Sequence, residues 1–164
     1  MSDEQSISGK AIPRLSLECV QVGVVVKDLD NTVRKLSEVF GIGPFRIVVQ
    51  PPPDRDDIEQ TYKGERVDSA IRIAYTYLGP IELEVIEPLR GPSIWHDFLE
   101  QHGEGIQHIR FNTTDIAAAT ESLAKHGIDV IHQGTGISPG VVWSYFDTAP
   151  SMGFTIEVVQ RPES

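Results

Sequence analysis

The sequence spells one succession of elements twice, and that repeat limits the folds open to it. Residues 19–26, CVQVGVVV, are rich in β-branched side chains and suit a buried strand. KDLDNTVRKLSEVFGIG follows, with Leu29, Val33, Leu36 and Phe40 at helical spacing, Asp28 or Asp30 as the N-cap and Gly41 as the stop. PFRIVV, SAIRIAYTYL and IELEVI are expected strands. In the last, Ile81, Leu83 and Val85 alternate with Glu82 and Glu84. SIWHDFLEQHG predicts a short helix between Ser93 and Gly103. The pattern then restarts. GIQHIRF is a strand, and TTDIAAATESLAKHG is a helix with Ile116, Ala119 and Leu123 inward. IDVIHQ, VVWSYFDT and GFTIEVVQ are three more strands. Each half is β-α-β-β-β. We expect a flexible tail over residues 1–16, a first module over 17–102 and a second over 103–161, sharing one structural domain.

The halves align by hand. At one offset Gln21 falls on His108, Asp28 on Asp115, Leu29 on Ile116 and Leu36 on Leu123. At a second, LEVIEP falls on IEVVQR and Glu84 on Glu157. The first half is longer, and the Pro-rich segment at 50–68 absorbs the difference as a long loop of the kind that shapes sites.

The composition narrows the function. Net charge is −10, and no basic patch interrupts it, so nucleic acid and anionic membranes are not expected as partners. No apolar run reaches the ~18 residues of a membrane span. MSDEQSISGK has no apolar core of the kind a secretion signal carries. Cys19 is the single cysteine, so no intrachain disulfide forms and a cytoplasmic setting is expected.

Four polar side chains stand at repeat-equivalent strand positions: Gln21 and His108 on the first strands, Glu84 and Glu157 on the last. Their neighbours Val20, Val22, Leu83, Val85, Ile109, Phe111, Ile156 and Val158 make the opposite faces apolar. With helices on the apolar faces, two curled sheets would bring the four together. One imidazole, two carboxylates and an amide oxygen suit a divalent ion. Without a cation the two glutamates would repel, and one would hold a proton. Among other candidates, Arg110 lies two residues from His108 on the same face. Tyr75, Tyr77, Trp143 and Tyr145 lie on neighbouring strands whose facing the pattern leaves open. His96, His102, His126 and His132 read as surface or structural, and Cys19 as a small buried thiol.

These modules, with GIQHIRF and the IELEVIEP…W…FL…HGEGIQHI run, resemble the vicinal oxygen chelate superfamily of glyoxalases, bleomycin-resistance proteins and dioxygenases. Within it the run 81–116 is similar to methylmalonyl-CoA epimerases. The resemblance implies an α+β fold, two repeated βαβββ modules forming a curved, barrel-like mixed sheet around a cavity with helices outside. It implies one divalent metal ion (Zn, Ni, Co, Mn or Fe) held by Gln21, Glu84, His108 and Glu157. That ligand set resembles the glyoxalase I type rather than the epimerases. Val25, Pro88 and Glu104 stand where glyoxalase I holds glutathione and cannot hold it. Arg72 stands near the second glutamate of the epimerases and is expected to hold a substrate carboxylate instead.

The implied function is an isomerase, epimerase or lyase that abstracts a proton next to a carbonyl through a metal-stabilised enolate. Glu157 is the first candidate base and Glu84 the second. Arg72, Arg110, Tyr75, Trp143 and Tyr145 would bind a small oxygenated substrate. The alternatives are a non-catalytic binding or resistance protein and an iron-dependent dioxygenase. A homodimer is expected by analogy.

Overall fold

The structure is a computed structural model describing residues 6, 7, 9 and 15–162. Its elements are β1 (Leu15–Val25), α1 (Leu29–Phe40), β2 (Arg46–Gln50), β3 (Gln60–Tyr62), β4 (Glu65–Arg66), β5 (Ala70–Leu78), β6 (Ile81–Arg90) and α2 (Ile94–His102). Then come β7 (Gly105–Thr113), α3 (Ile116–Ala124), β8 (Val130–Thr135), β9 (Val142–Phe146), α4 (Ala149–Met152) and β10 (Thr155–Gln160). The tail expected over residues 1–16 lies mostly outside the described residues, and β1 already begins at Leu15.

The strands form one mixed sheet in the order β2-β5-β6-β1-β7-β10-β9-β8-β3-β4, curled into a half-barrel; α1 and α3 pack on its outer face, whereas α2, expected outside, packs Ile94 and Trp95 against Ile71, Ile73 and Tyr145 of the concave side. The repeat is visible in this order. In each half the first strand lies parallel to the last (β1 on β6, β7 on β10), and the two middle strands continue antiparallel beyond it. The halves join where β1 and β7 pair antiparallel.

Local chemistry repeats as well. Asp28 Oδ1 accepts from Asn31 N at 2.9 Å at the start of α1, and Asp115 Oδ1 accepts from Ala118 N at 3.0 Å at the start of α3. These are N-caps that satisfy otherwise orphaned amides. The last strand of each module adds a second acceptor to the same helix end: Glu87 Oε2 for Leu29 N and Gln160 Oε1 for Ile116 N, both at 2.8 Å. Gly41 ends α1 with φ 68°, a left-handed conformation that glycine adopts without penalty.

α1 buries Leu29 against Val26, Ala74, Leu83 and Val85. Burying such a side chain fully contributes about 1.5–3 kcal/mol. α3 packs Leu123 onto Phe146 and Val158. Every second residue of β6 and β10 is thereby spent on the helices, which leaves the alternate residues for the concave face.

The segment at 50–68 is more than a loop. It carries the β3–β4 hairpin, and β3 pairs with β8 of the other module, Tyr62 opposite His132. Since β2 is one edge of the sheet and β3–β4 the other, residues 51–59 cross from edge to edge. No helix among the described residues is long and apolar enough to cross a membrane.

Candidate active site

The concave face encloses a cavity of about 580 Å³. Glu82 and Glu84 reach it from β6, Arg110 from β7 and Glu157 from β10. Tyr75 and Tyr77 reach it from β5, Trp143 and Tyr145 from β9, and Trp95 from α2. The run IELEVI is therefore a strand whose carboxylate face lines a chamber.

His108 is the hub. Its ring is fully buried and lies over Gly23, its partner across the β1–β7 ladder; a side chain at 23 would overlap the imidazole. A glycine inside a strand commonly marks such a close approach. Gln107 Oε1 lies 2.7 Å from His108 Nδ1. An amide oxygen only accepts, so Nδ1 carries a proton, and Nε2 is the nitrogen turned to the centre.

Around that nitrogen stand three oxygens: Gln21 Oε1 at 3.3 Å, Glu157 Oε2 at 3.4 Å and Glu84 Oε2 at 3.6 Å. The Gln21 amide is oriented by its Nε2, which donates to Glu82 Oε1. One ring nitrogen and three oxygens thus converge on one centre. Glu157 Oε2 is buried and makes no hydrogen bond.

The two carboxylates in this group repel each other unless a proton or a cation enters it. Bonds of ~2.1 Å to one ion would put neighbouring donors roughly 3.0–3.4 Å apart. The observed separations match for Gln21 and Glu157 and are slightly wider for Glu84. Among the described residues no group of three or more His, Cys, Asp or Glu side chains stands, as placed, close enough to hold a metal ion. The donor types would suit a divalent ion, with Gln21, Glu84, His108 and Glu157 as the residues that would hold it.

The two carboxylates differ in environment. Burial raises the Glu84 carboxyl above the ordinary range, and the nearby Glu157 charge adds to this against the pull of His108. Burial also raises Glu157, but its contact with His108 and the charges of His108 and Arg110 override that and leave it below the ordinary range. Burial raises Tyr145 well above the usual tyrosine value, so its phenol keeps its proton.

Of the expected substrate contacts, Arg110, Tyr75, Trp143 and Tyr145 all line the cavity. Arg72 does not. Ile71, Ile73, Tyr75 and Tyr77 take the concave face of β5, so Arg72, of opposite parity, turns to the helix side. There it donates from both terminal nitrogens to Asp30 of α1, at 2.7 Å each. The expected carboxylate-holding role for Arg72 is thereby corrected.

Four residues that the sequence reading did not assign to the site also shape it. Glu82 was signalled by its alternation with Glu84. Gly23 was signalled only by being a strand glycine. Gln107 and Trp95 gave no periodic signal, one orienting its neighbour and the other entering from a helix. His132, read as surface or structural, is fully buried beneath the cavity wall. The rings of Trp95, Trp143 and Tyr62 stand 4.8, 5.1 and 5.2 Å from its own.

Comparison with known proteins follows the same lines. The model of the Glyoxalase/Bleomycin resistance protein/Dioxygenase superfamily matches residues 20–140. The uncharacterized protein YqjC of Bacillus subtilis is 31% identical over 64 residues, which span 39% of this chain and 46% of that protein, so less than half of that relative is covered. Among solved structures, a hypothetical protein of Bacillus halodurans superposes with TM-score 0.63 at 18% identity, covering 90% of this chain and 96% of that one. The methylmalonyl-CoA epimerase of Mycobacterium tuberculosis superposes with TM-score 0.60 at 20% identity, covering 96% and 94%. A methylmalonyl-CoA epimerase in complex with methylmalonyl-CoA and NH4+ gives 0.60 at 22%, covering 87% and 92%. At these identities the structural likeness speaks to the fold.

Proposed function

Since this chain belongs to the glyoxalase/bleomycin resistance protein/dioxygenase superfamily, we propose that it is a divalent-metal-dependent isomerase, epimerase or lyase. In this reading it removes a proton next to a carbonyl of a small oxygenated substrate. The observation that supports it most is the set of three oxygens facing His108 Nε2 at 3.3–3.6 Å, with Gln107 holding the ring through Nδ1. The chemistry that a divalent ion supplies there is Lewis-acid polarisation of a substrate oxygen.

This chain's residues do the rest. Glu84 and Glu157 bring one carboxylate from each module to the same centre, so one can take the proton while the other returns it. The Glu84 side chain is 14% exposed and that of Glu157 7%, so a substrate entering from the cavity meets Glu84 on the more open side. Arg110 and Tyr145 hold the surrounding field: the guanidinium stands 3.7 Å from Glu82, and the un-ionised phenol adds no charge. Trp95, Trp143 and Tyr145 give the cavity an aromatic wall beside that centre.

The single imidazole at this centre favours proton transfer over an iron-dependent oxygenase, whose sites use two histidines and one carboxylate. A binding protein without catalysis is the second reading, favoured by the aromatic lining.

The test is exchange of α-hydrogen for deuterium in D2O, using a panel of 2-oxo acids and thioesters with metal-loaded protein. The reading expects enzyme-dependent exchange in at least one class. Glu84→Gln and Glu157→Gln should each lower it by ~10²–10⁴-fold. Saturable binding of such compounds with no exchange, in protein that does hold metal, would transfer the case to the binding reading.

A further inference from the structure

We propose that the substrate is an anion, carrying a carboxylate or phosphate group, and that Arg46 and Arg161 receive that group at the cavity. This rests on the reading of the cavity as the substrate site and adds its charge class.

The ion pairs of the chain carry the argument. Eight arginines lie among the described residues. Arg34, Arg55, Arg66, Arg72 and Arg90 are paired with Glu38, Asp57, Glu59, Asp30 and Asp68, all away from the centre. Arg110 pairs with Glu82 inside the cavity. Arg46 and Arg161 have no carboxylate within ion-pair reach among the described residues, and both line the cavity. In a chain with net charge −10, acidic partners are plentiful. Among the described residues, the two arginines without one both face the substrate space.

The pseudo-symmetry sharpens this for Arg46. In the first module, neighbouring strands align Glu84 with Tyr75 and Tyr75 with Arg46. In the second they align Glu157 with Tyr145 and Tyr145 with His132. Arg46 and His132 therefore occupy one position in the repeat. His132 is sealed under aromatic rings and holds no charge there, whereas Arg46 is exposed, its guanidinium 5.9 Å from the centre of the Tyr75 ring. That cation–π contact holds the guanidinium beside the ring, and its N–H groups, with no carboxylate partner among the described residues, are open to a planar or tetrahedral anion. One end of this register row is a closed wall, and the other is an open cationic edge.

The charge of the cavity agrees. Its lining carries three arginines, Arg46, Arg110 and Arg161, against three glutamates, Glu82, Glu84 and Glu157. The lining is balanced by itself and becomes positive when a divalent ion binds. An anionic substrate would then be drawn in despite the acidic exterior.

The chain offers a direct probe. Both tryptophans of the sequence, Trp95 and Trp143, line the cavity, so intrinsic tryptophan fluorescence reports on it. The full chain would be titrated, metal-free and Zn-loaded, with malonate, inorganic phosphate and neutral malonamide. We expect saturable binding of malonate or phosphate and none of malonamide. Arg46→Gln and Arg161→Gln should each weaken the anion by about 10-fold, the loss expected for a charged hydrogen bond. Arg34→Gln, on the outer face of α1, should change nothing. Stronger binding of phosphate would assign a phosphate-bearing substrate, and of malonate a carboxylate. Malonamide binding as well as malonate, no anion binding in either metal state, or wild-type titrations from both cavity variants would overturn the proposal. A protein that takes up no metal yet binds anions through Arg46 and Arg161 would retain this inference while removing the catalytic reading.

Discussion

The imidazole of His108 occupies the space that a side chain on Gly23 would fill, because the two residues face each other across the ladder that joins the modules. Gly23→Ala should therefore displace the ring rather than break the sheet. The overpacking should cost about 1–3 kcal/mol. Divalent-ion affinity should fall at least 10-fold, well beyond the change in melting temperature. Calorimetric titration with Zn²⁺ or Co²⁺, paired with thermal denaturation, would check this.

Gln107 acts through His108. Gln107→Leu removes the acceptor for Nδ1–H and frees the ring to take the other tautomer, so metal affinity should fall ~10–100-fold. Gln107→Glu keeps an acceptor at the same place and should retain binding. Equal losses in both variants would assign Gln107 to packing alone.

Burial holds His132 at about 4, below the ordinary 6.5, more strongly than the Glu157 charge raises it. Between those values the unfolded chain binds a proton that the folded chain refuses. Stability therefore rises with pH through this window, is complete above it, and is lost as pH falls toward 4. The loss should reach about 3 kcal/mol. His132→Phe should flatten this acid limb relative to wild type. The raised Glu84 carboxyl acts with the opposite sign, and being common to both proteins it cancels in the difference.

Arg72 is on the helix side, in an ion pair whose Asp30 side chain is 66% exposed. Arg72→Ala should cost no more than about 1 kcal/mol. Kinetic constants and metal content should stay at wild-type values. A fall in substrate affinity would return Arg72 to the cavity.

Gln21, Glu84, His108 and Glu157 were legible because strand alternation has period two and the repeat supplies two copies of each position. Arg72 was misplaced because a shift of one residue turns a side chain to the other face, and only the pairing of β5 with β6 fixes that parity. The β3–β4 hairpin hid inside a charged, Pro-rich segment, since its strand state comes from pairing with β8 rather than from its own residues. Trp95 and the enclosure of His132 depend on contacts between distant segments, which no local pattern carries.

Metal stoichiometry tests the central claim most directly. Protein purified without added metal, then reconstituted with Zn²⁺, Ni²⁺, Co²⁺ or Mn²⁺ and dialysed, would be assayed by elemental analysis beside His108→Ala and Glu157→Gln. The account predicts about one divalent ion per chain in the wild type and a clear loss in both variants. A wild type that retains no metal under any of these conditions, or variants that retain it fully, would contradict the site described here.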